Sequence, residues 1–282
     1  MIQYTDEQIT IFQSALFQTT STVIHVGGVV IIVDPTWLPG EIREIQAHVE
    51  AIRGEKECYL LFTHGDFDHI LGYNAFPGAT TIGSLEMRNH PKKEHKVNLI
   101  HEFDATYYIA RNYEVEFPDI DIVIEQDAQR LAIGSTTLTF YKAPGHTFDG
   151  LFTVVDSLGL FLAGDYLSDF ELPFIHDSAF AYERTLNKAA TIMNDHDVKM
   201  LVPGHGRYTV NRSEMAGRIT MASDYLTRLR TAIIDKDEPA IQRLEQEFAF
   251  LSPSTVESHK ENVRMMRSEL DAVQDASSGA RA

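Results

Sequence analysis

The chain has 282 residues, 44% hydrophobic and 23% charged, enough for one large core or two small ones. Its formal charge of −17 argues against a nucleic-acid track, which needs clustered Lys and Arg, and no run approaches the ~18 apolar residues that span a bilayer. The N-terminus lacks a basic start with an apolar run behind it, and Cys58, the single cysteine, cannot close an internal disulfide. Both features fit a cytoplasmic protein whose thiol is buried in a strand.

In chain order, residues 21–34 place two β-branched runs around Gly27-Gly28, which predicts a hairpin that ends at Asp34-Pro35. Ile42, Ile45, Val49 and Ile52 then recur at helical spacing, so 41–53 is a helix packed on a sheet. Strands are expected at 60–62 and, after the Pro77-Gly78 turn, at 80–82. Residues 86–119 mix charge with aromatic side chains and show no clean period. They read as an insertion that either overhangs a site or packs as a surface subregion. Within it, Lys92-Lys93-Glu94-His95-Lys96 reads as a solvated charged loop. Strands return at 121–125, 129–133, 136–141, 151–155 and 158–162, a helix at 181–193, and a short strand at 198–202. From Ser213 the pattern is helical with a break near Pro253. The polar tail 275–282 is expected to lack fixed structure. Leu226, Leu229, Ile233, Leu244, Val263 and Met266 either pack this helical region on the core or build a homodimer.

The densest chemistry is the run Thr63-His64-Gly65-Asp66-Phe67-Asp68-His69, directly after Tyr59-Leu60-Leu61-Phe62. It delivers two imidazoles and two carboxylates at the end of a strand. In an extended turn His64, Asp66 and Asp68 point one way and His69 another, so one loop can serve two neighbouring metals. His146 in Pro-Gly-His, Asp165 in Ala-Gly-Asp and His205 in Pro-Gly-His follow, each after a glycine that permits a tight turn. Several N and O donors held in fixed directions are what a divalent metal needs. No Gly-x-Ser-x-Gly elbow and no phosphate-binding Gly-rich loop with Lys-Ser/Thr accompanies them.

This order resembles the metallo-β-lactamase-fold hydrolases, the superfamily that includes glyoxalase II and the acyl-homoserine lactone lactonases. Their signature is His-x-His-x-Asp-His, then His, Asp and His; here it reads His64-x-Asp66-x-Asp68-His69, then His146, Asp165 and His205, over about residues 20–210. The resemblance implies an α/β fold, an αββα sandwich of two mixed sheets flanked by helices. Residues 1–210 would be the catalytic domain, including the insertion, and 211–274 a helical extension packed on it. It further implies a first metal on His64, Asp66 and His146, a second on Asp68, His69 and His205, Asp165 bridging them, and Asp34 supporting the metal loops.

The departure is Asp66 where most of the family has His. A third carboxylate makes the site harder, favouring iron or manganese relative to zinc. The expected chemistry is metal-activated water attacking a small ester, lactone or thioester, with Asp68 relaying the proton. Tyr166, His176 and Trp37 are candidates for the substrate pocket. The competing readings are a phosphodiesterase of small substrates, a diiron oxidoreductase of the flavodiiron kind, and a binding protein on a retained fold.

Overall fold

The computed structural model describes residues 1–279. In chain order the elements are β1 (Ile2–Thr5), β2 (Ile9–Gln13), β3 (Thr20–Val26), β4 (Val29–Val33), α1 (Pro39–Arg53), β5 (Glu57–Leu61), α2 (Phe67–Ile70), β6 (Thr80–Ser84), α3 (Leu85–Arg88) and α4 (Lys93–Tyr107). They continue with β7 (Ile122–Ile124), β8 (Gln129–Ile133), β9 (Thr136–Lys142), β10 (Leu151–Val155), β11 (Leu160–Leu162), α5 (Ala179–Asp195), β12 (Met200–Val202), α6 (Arg212–Ile234), α7 (Glu238–Glu245) and α8 (Pro253–Gly279). Among the described residues they form a seven-stranded sheet in sequential order β1 to β7 and a five-stranded sheet in the order β12-β11-β10-β9-β8.

Both sheets are mixed. β1 to β4 pair antiparallel and β4 to β7 parallel; β8 to β11 pair antiparallel, and β12 joins β11 in parallel. Strand alternation divides the apolar residues among three cores. Ile31 and Val33 of β4 face Leu138, Phe140 and Leu162 between the sheets, while Val30 and Ile32 turn outward onto Ile42, Ile45 and Val49 of α1. On the far side, Phe152 and Phe161 pack against Leu186 of α5 and Leu226 and Leu229 of α6. The result is the αββα sandwich.

The C-terminal helices use their apolar residues within the chain: Leu226, Leu229, Leu244 and Met266 are buried in the third core, with Ile233 and Val263 packed against it. The structure departs from the sequence reading in four places. Strands β1 and β2 precede the first expected hairpin. The segment 93–107 is a helix whose apolar stripe is narrow: Ile100 is buried, and Val97 and Phe103 are partly so, among Lys, Glu and His. Residues 235–237 interrupt the C-terminal helices before the expected break near Pro253. Finally, α8 continues through Asp275 to Gly279, where the polar composition predicts an unstructured tail; residues 280–282 lie outside the described region.

The topology gathers the metal-type residues. Loops leave the C-terminal ends of β4 (Asp34), β5 (63–69), β11 (163–167) and β12 (203–206) at one edge of the sandwich, and the β9–β10 connection supplies 143–150. The sheets are joined there by main-chain hydrogen bonds from Leu151 to Thr63 (2.7 Å) and from Thr20 to Gly204 (2.7 Å).

Candidate metal centre

At this edge the seven residues singled out in the sequence converge. Among the described residues, three groups have ligand atoms lying within 4.8 Å of one another: His64, Asp66 and His146; Asp68, His69 and His205; and His64, His69 and Asp165. Asp165 is central, with its carboxylate oxygens 3.5 Å from His64 Nε2, 3.0 Å from His69 Nε2, 3.2 Å from His146 Nε2 and 3.2 Å from His205 Nε2. Gly204 makes this possible, because a Cβ there would stand 2.2 Å from Asp165 Oδ1. Gly164 adopts a φ of +50°, which turns Asp165 inward from the end of β11.

Each imidazole is held from behind. His146 Nδ1 lies 2.8 Å from the Phe174 carbonyl, and His205 Nδ1 lies 2.8 Å from the Phe17 carbonyl. His69 Nδ1 lies 3.0 Å from Asp34 Oδ2. His64 Nδ1 lies 3.0 Å from the Thr63 hydroxyl, which itself donates to Asp34 Oδ2 at 2.5 Å and so accepts from the ring. Carbonyls, carboxylates and a hydroxyl already donating elsewhere can only accept, so all four rings carry their proton on Nδ1 when neutral. The bare Nε2 atoms face the centre, which is how metal-ligating histidines are oriented. Among the described residues, His64 Nε2, His146 Nε2 and Asp165 Oδ1 are buried without a hydrogen-bond partner, a state expected of atoms awaiting a metal.

The electrostatics point the same way. Burial opposes charge on Asp66, His69, His146, Asp165 and His205, yet their neighbours of opposite sign favour the charged forms. Against burial, Asp165 and Asp66 keep His146 up to about 10, and Asp165 with Glu171 keeps His205 up to about 10. Asp165 is likewise pulled well below the carboxylate range, against burial, by His205, His69 and His64. Such a cluster of carboxylates and imidazoles could hold a divalent ion in place of those protons.

Asp66 departs from the family pattern and also keeps unusual company. Its Oδ2 lies 3.5 Å from His146 Nε2 and 4.0 Å from His64 Nε2. Its Oδ1 accepts a hydrogen bond from Lys96 Nζ of α4. Lys96, expected in a solvated loop, has a side chain 19% exposed and is committed to this carboxylate. Helix α4, within the stretch 86–119, thus reaches the centre, while Val115 and Phe117 of that stretch and the following Ile120 pack into the second core, on the α1 side of the larger sheet.

The candidate pocket residues are placed unequally. Tyr166 is buried, and its hydroxyl donates to the Pro144 carbonyl (2.8 Å) and accepts from the His146 main-chain N–H (2.9 Å), so it fixes the His146 loop. Trp37 is fully buried among Phe17, Phe67 and Phe103 and caps the core. His176 is exposed at the rim, its ring 5.3 Å from that of His146.

Two acidic residues escape the sequence reading. Asp149 is buried and accepts from the Gly65 N–H at 2.9 Å, bracing the 63–69 loop. Glu171 shares a wall with His146 and Asp165; burial, helped by Asp165 and Asp68 and opposed by His205, pushes it up to about 7. Glu171 sits in the same run as His176, but a lone glutamate carries no distinguishing signal.

The model of the metallo-beta-lactamase superfamily matches residues 15–205, and the chain belongs to that family. With the His/Asp cluster in place, its class is that of a metal-dependent hydrolase. No curated protein sequence matches the chain. Among solved structures, the stereoselective inverting sec-alkylsulfatase Pisa1 from Pseudomonas sp. is similar at 11% identity and a TM-score of 0.70, over 95% of this chain and 50% of that one. This chain thus spans about half the length of the sulfatase. A metallo-beta-lactamase family protein from Thermus thermophilus is similar at 16% identity and a TM-score of 0.64, over 91% and 93% of the two chains. A metallo-beta-lactamase from Pontibacter korlensis is similar at 14% and 0.56, over 79% and 99%. Likeness at these identities speaks to the fold. Among the described residues, no helix is long and apolar enough to cross a membrane.

Proposed function

We propose that the chain is a dinuclear hydrolase of a small ester, lactone or thioester, of the glyoxalase II or lactonase kind. His64, Asp66 and His146 would hold one ion, Asp68, His69 and His205 the other, with Asp165 between them. The observation that carries this reading is the set of four Nδ1-anchored imidazoles whose Nε2 atoms converge on Asp165. When bound, divalent ions supply Lewis acidity and bring the pKa of water toward neutrality. The imidazoles suit zinc, while the third carboxylate adds affinity for iron or manganese.

The chain's own groups do the rest. Asp165 ties the halves together. Asp68 Oδ2, 3.4 Å from His205 Nε2, takes the proton released as water attacks the carbonyl carbon and returns it to the departing oxygen or sulfur. His176 at the rim can donate to the substrate carbonyl.

The test is elemental analysis of protein purified without added metal, alongside the Asp66→Ala variant. The expected result is about two ions per chain, falling toward one in the variant, with turnover of at least one ester, lactone or thioester. One ion or none in the wild type, unchanged in the variant and not restored by zinc, manganese or iron, overturns the dinuclear reading. Turnover confined to alkyl sulfates or phosphodiesters would reassign the substrate class.

A further inference from the structure

Beside the centre lies a cavity of about 370 Å³. It is lined by Phe17, Phe170, Phe174, Phe248 and Phe250, with Glu171 also in its wall. The residues whose carbonyls anchor His205 and His146, Phe17 and Phe174, also line this cavity. One ligand of each half of the centre is therefore bonded directly to the cavity wall. Glu171 belongs both to this wall and to the one shared by His146 and Asp165, so the two spaces adjoin.

The outer wall comes from the C-terminal extension, through the segment between α7 and α8. Phe250 meets Phe170 edge to face at 5.3 Å, and Phe248 stacks on Phe174 at 5.8 Å. Phe17 and Phe250 remain 47% and 56% exposed, an arrangement that folding does not require. Two of the polar groups on this wall are engaged locally: the Thr255 hydroxyl donates to the Phe250 carbonyl (2.7 Å), and Gln18 Oε1 accepts from Gln13 (3.1 Å). The lining is thus mostly apolar, and its one acidic residue, Glu171, is shared with the wall of the centre. Pockets near this size with such a lining hold the apolar part of a small molecule and orient its polar end.

We infer that this cavity is a subsite for the acyl or alkyl chain of the substrate, built by the C-terminal extension and aimed so that the reacting group reaches the metal centre. The inference rests on the hydrolase reading for what happens at the polar end, while occupation of the cavity is measurable without turnover. Trp37 is the sole tryptophan, and its ring lies 6.1 Å from that of Phe17, so its emission reports on the cavity.

The test titrates the full-length, metal-bearing protein with n-alkanoates from butanoate to octanoate, by calorimetry and Trp37 fluorescence. The expected result is one site per chain with affinity rising about fourfold for each added methylene. In Phe250→Ser, which removes a wall, and Ala249→Leu, which fills the space, that increment should fall below about twofold per methylene with metal content unchanged. Chain-length-independent binding in the wild type, a slope unchanged in both variants, or several equivalents bound per chain would each overturn the inference. If no ester, lactone or thioester is turned over but the slope and its loss in the variants are seen, the hydrolase reading falls and the subsite stands. Turnover without any slope gives the reverse.

Discussion

The two halves of the proposed centre draw on similar candidate ligands but are supported differently. His146 and His205 are equivalent, each anchored by the carbonyl of a phenylalanine. The other pair is not. His69 bonds directly to the Asp34 carboxylate, whereas His64 reaches the same carboxylate through the Thr63 hydroxyl. A carboxylate behind an imidazole raises its basicity more than a hydroxyl does. The acidic ligands differ as well: Asp66 shares its charge with Lys96, while Asp68 faces His69 and His205. The half around Asp68 should therefore bind its ion more tightly, and the half around Asp66 should fill second.

Asp165 belongs to both halves, and its loss should have the largest effect. Asp165→Ala is expected to empty both positions and lower kcat/KM by about a thousandfold or more. Retention of one firmly held ion with substantial activity would show that Asp165 serves one half.

Asp34→Asn probes the asymmetry directly. Metal affinity at the Asp68 half should fall about 10- to 100-fold, and less at the Asp66 half, where the hydroxyl intervenes. Competition titration against a chelator resolves the two steps, and equal losses would break the comparison. Lys96→Met should act in the opposite direction, tightening the Asp66 half by roughly tenfold through removal of a competing cation. A weaker Asp66 half in this variant would mean that Lys96 serves to orient the carboxylate.

The smallest effect tests what the halves share. His146 and His205 are held up to about 10 in the folded chain, above the ordinary histidine value near 6.5. The stability from their protonated forms is fully present below about pH 6.5 and is lost as pH rises through about 10. Chelated protein should lose several degrees of thermal stability over that window, whereas metal-loaded protein, with its imidazoles already neutral, should change much less. Parallel pH profiles with and without chelator would remove both histidines from the metal-binding role.

Much of this site is legible in the sequence because it is local chemistry. Ligand-type side chains follow apolar strands, and glycines mark the turns before His146, Asp165 and His205. Strand and helix assignments from β4 to α1 and from β8 to β11 follow from periodicities that only neighbouring residues create. Helix α4 is harder, since Val97, Ile100 and Phe103 form a stripe too narrow to stand out among charged residues. Tyr166 and Trp37 look suited to a pocket because aromatic residues near a site can line it or support it, and packing decides between the two. Tyr166 finds main-chain partners, and Trp37 finds three aromatic rings.

The sequence by itself determined which candidate donor side chains occur, their order and the sheets that carry them, because residue type and short-range pattern are enough for those. Only the tertiary structure decided how the donors are aimed and what neutralises them. Phe17 anchors His205 across 188 residues of chain, and Lys96 meets Asp66 across 30. The anchoring group in the first case is a carbonyl that every residue possesses, and the cation in the second sits in an ordinary charged run. Neither leaves a local signature, so each acquires its role only when packing brings the distant segments together.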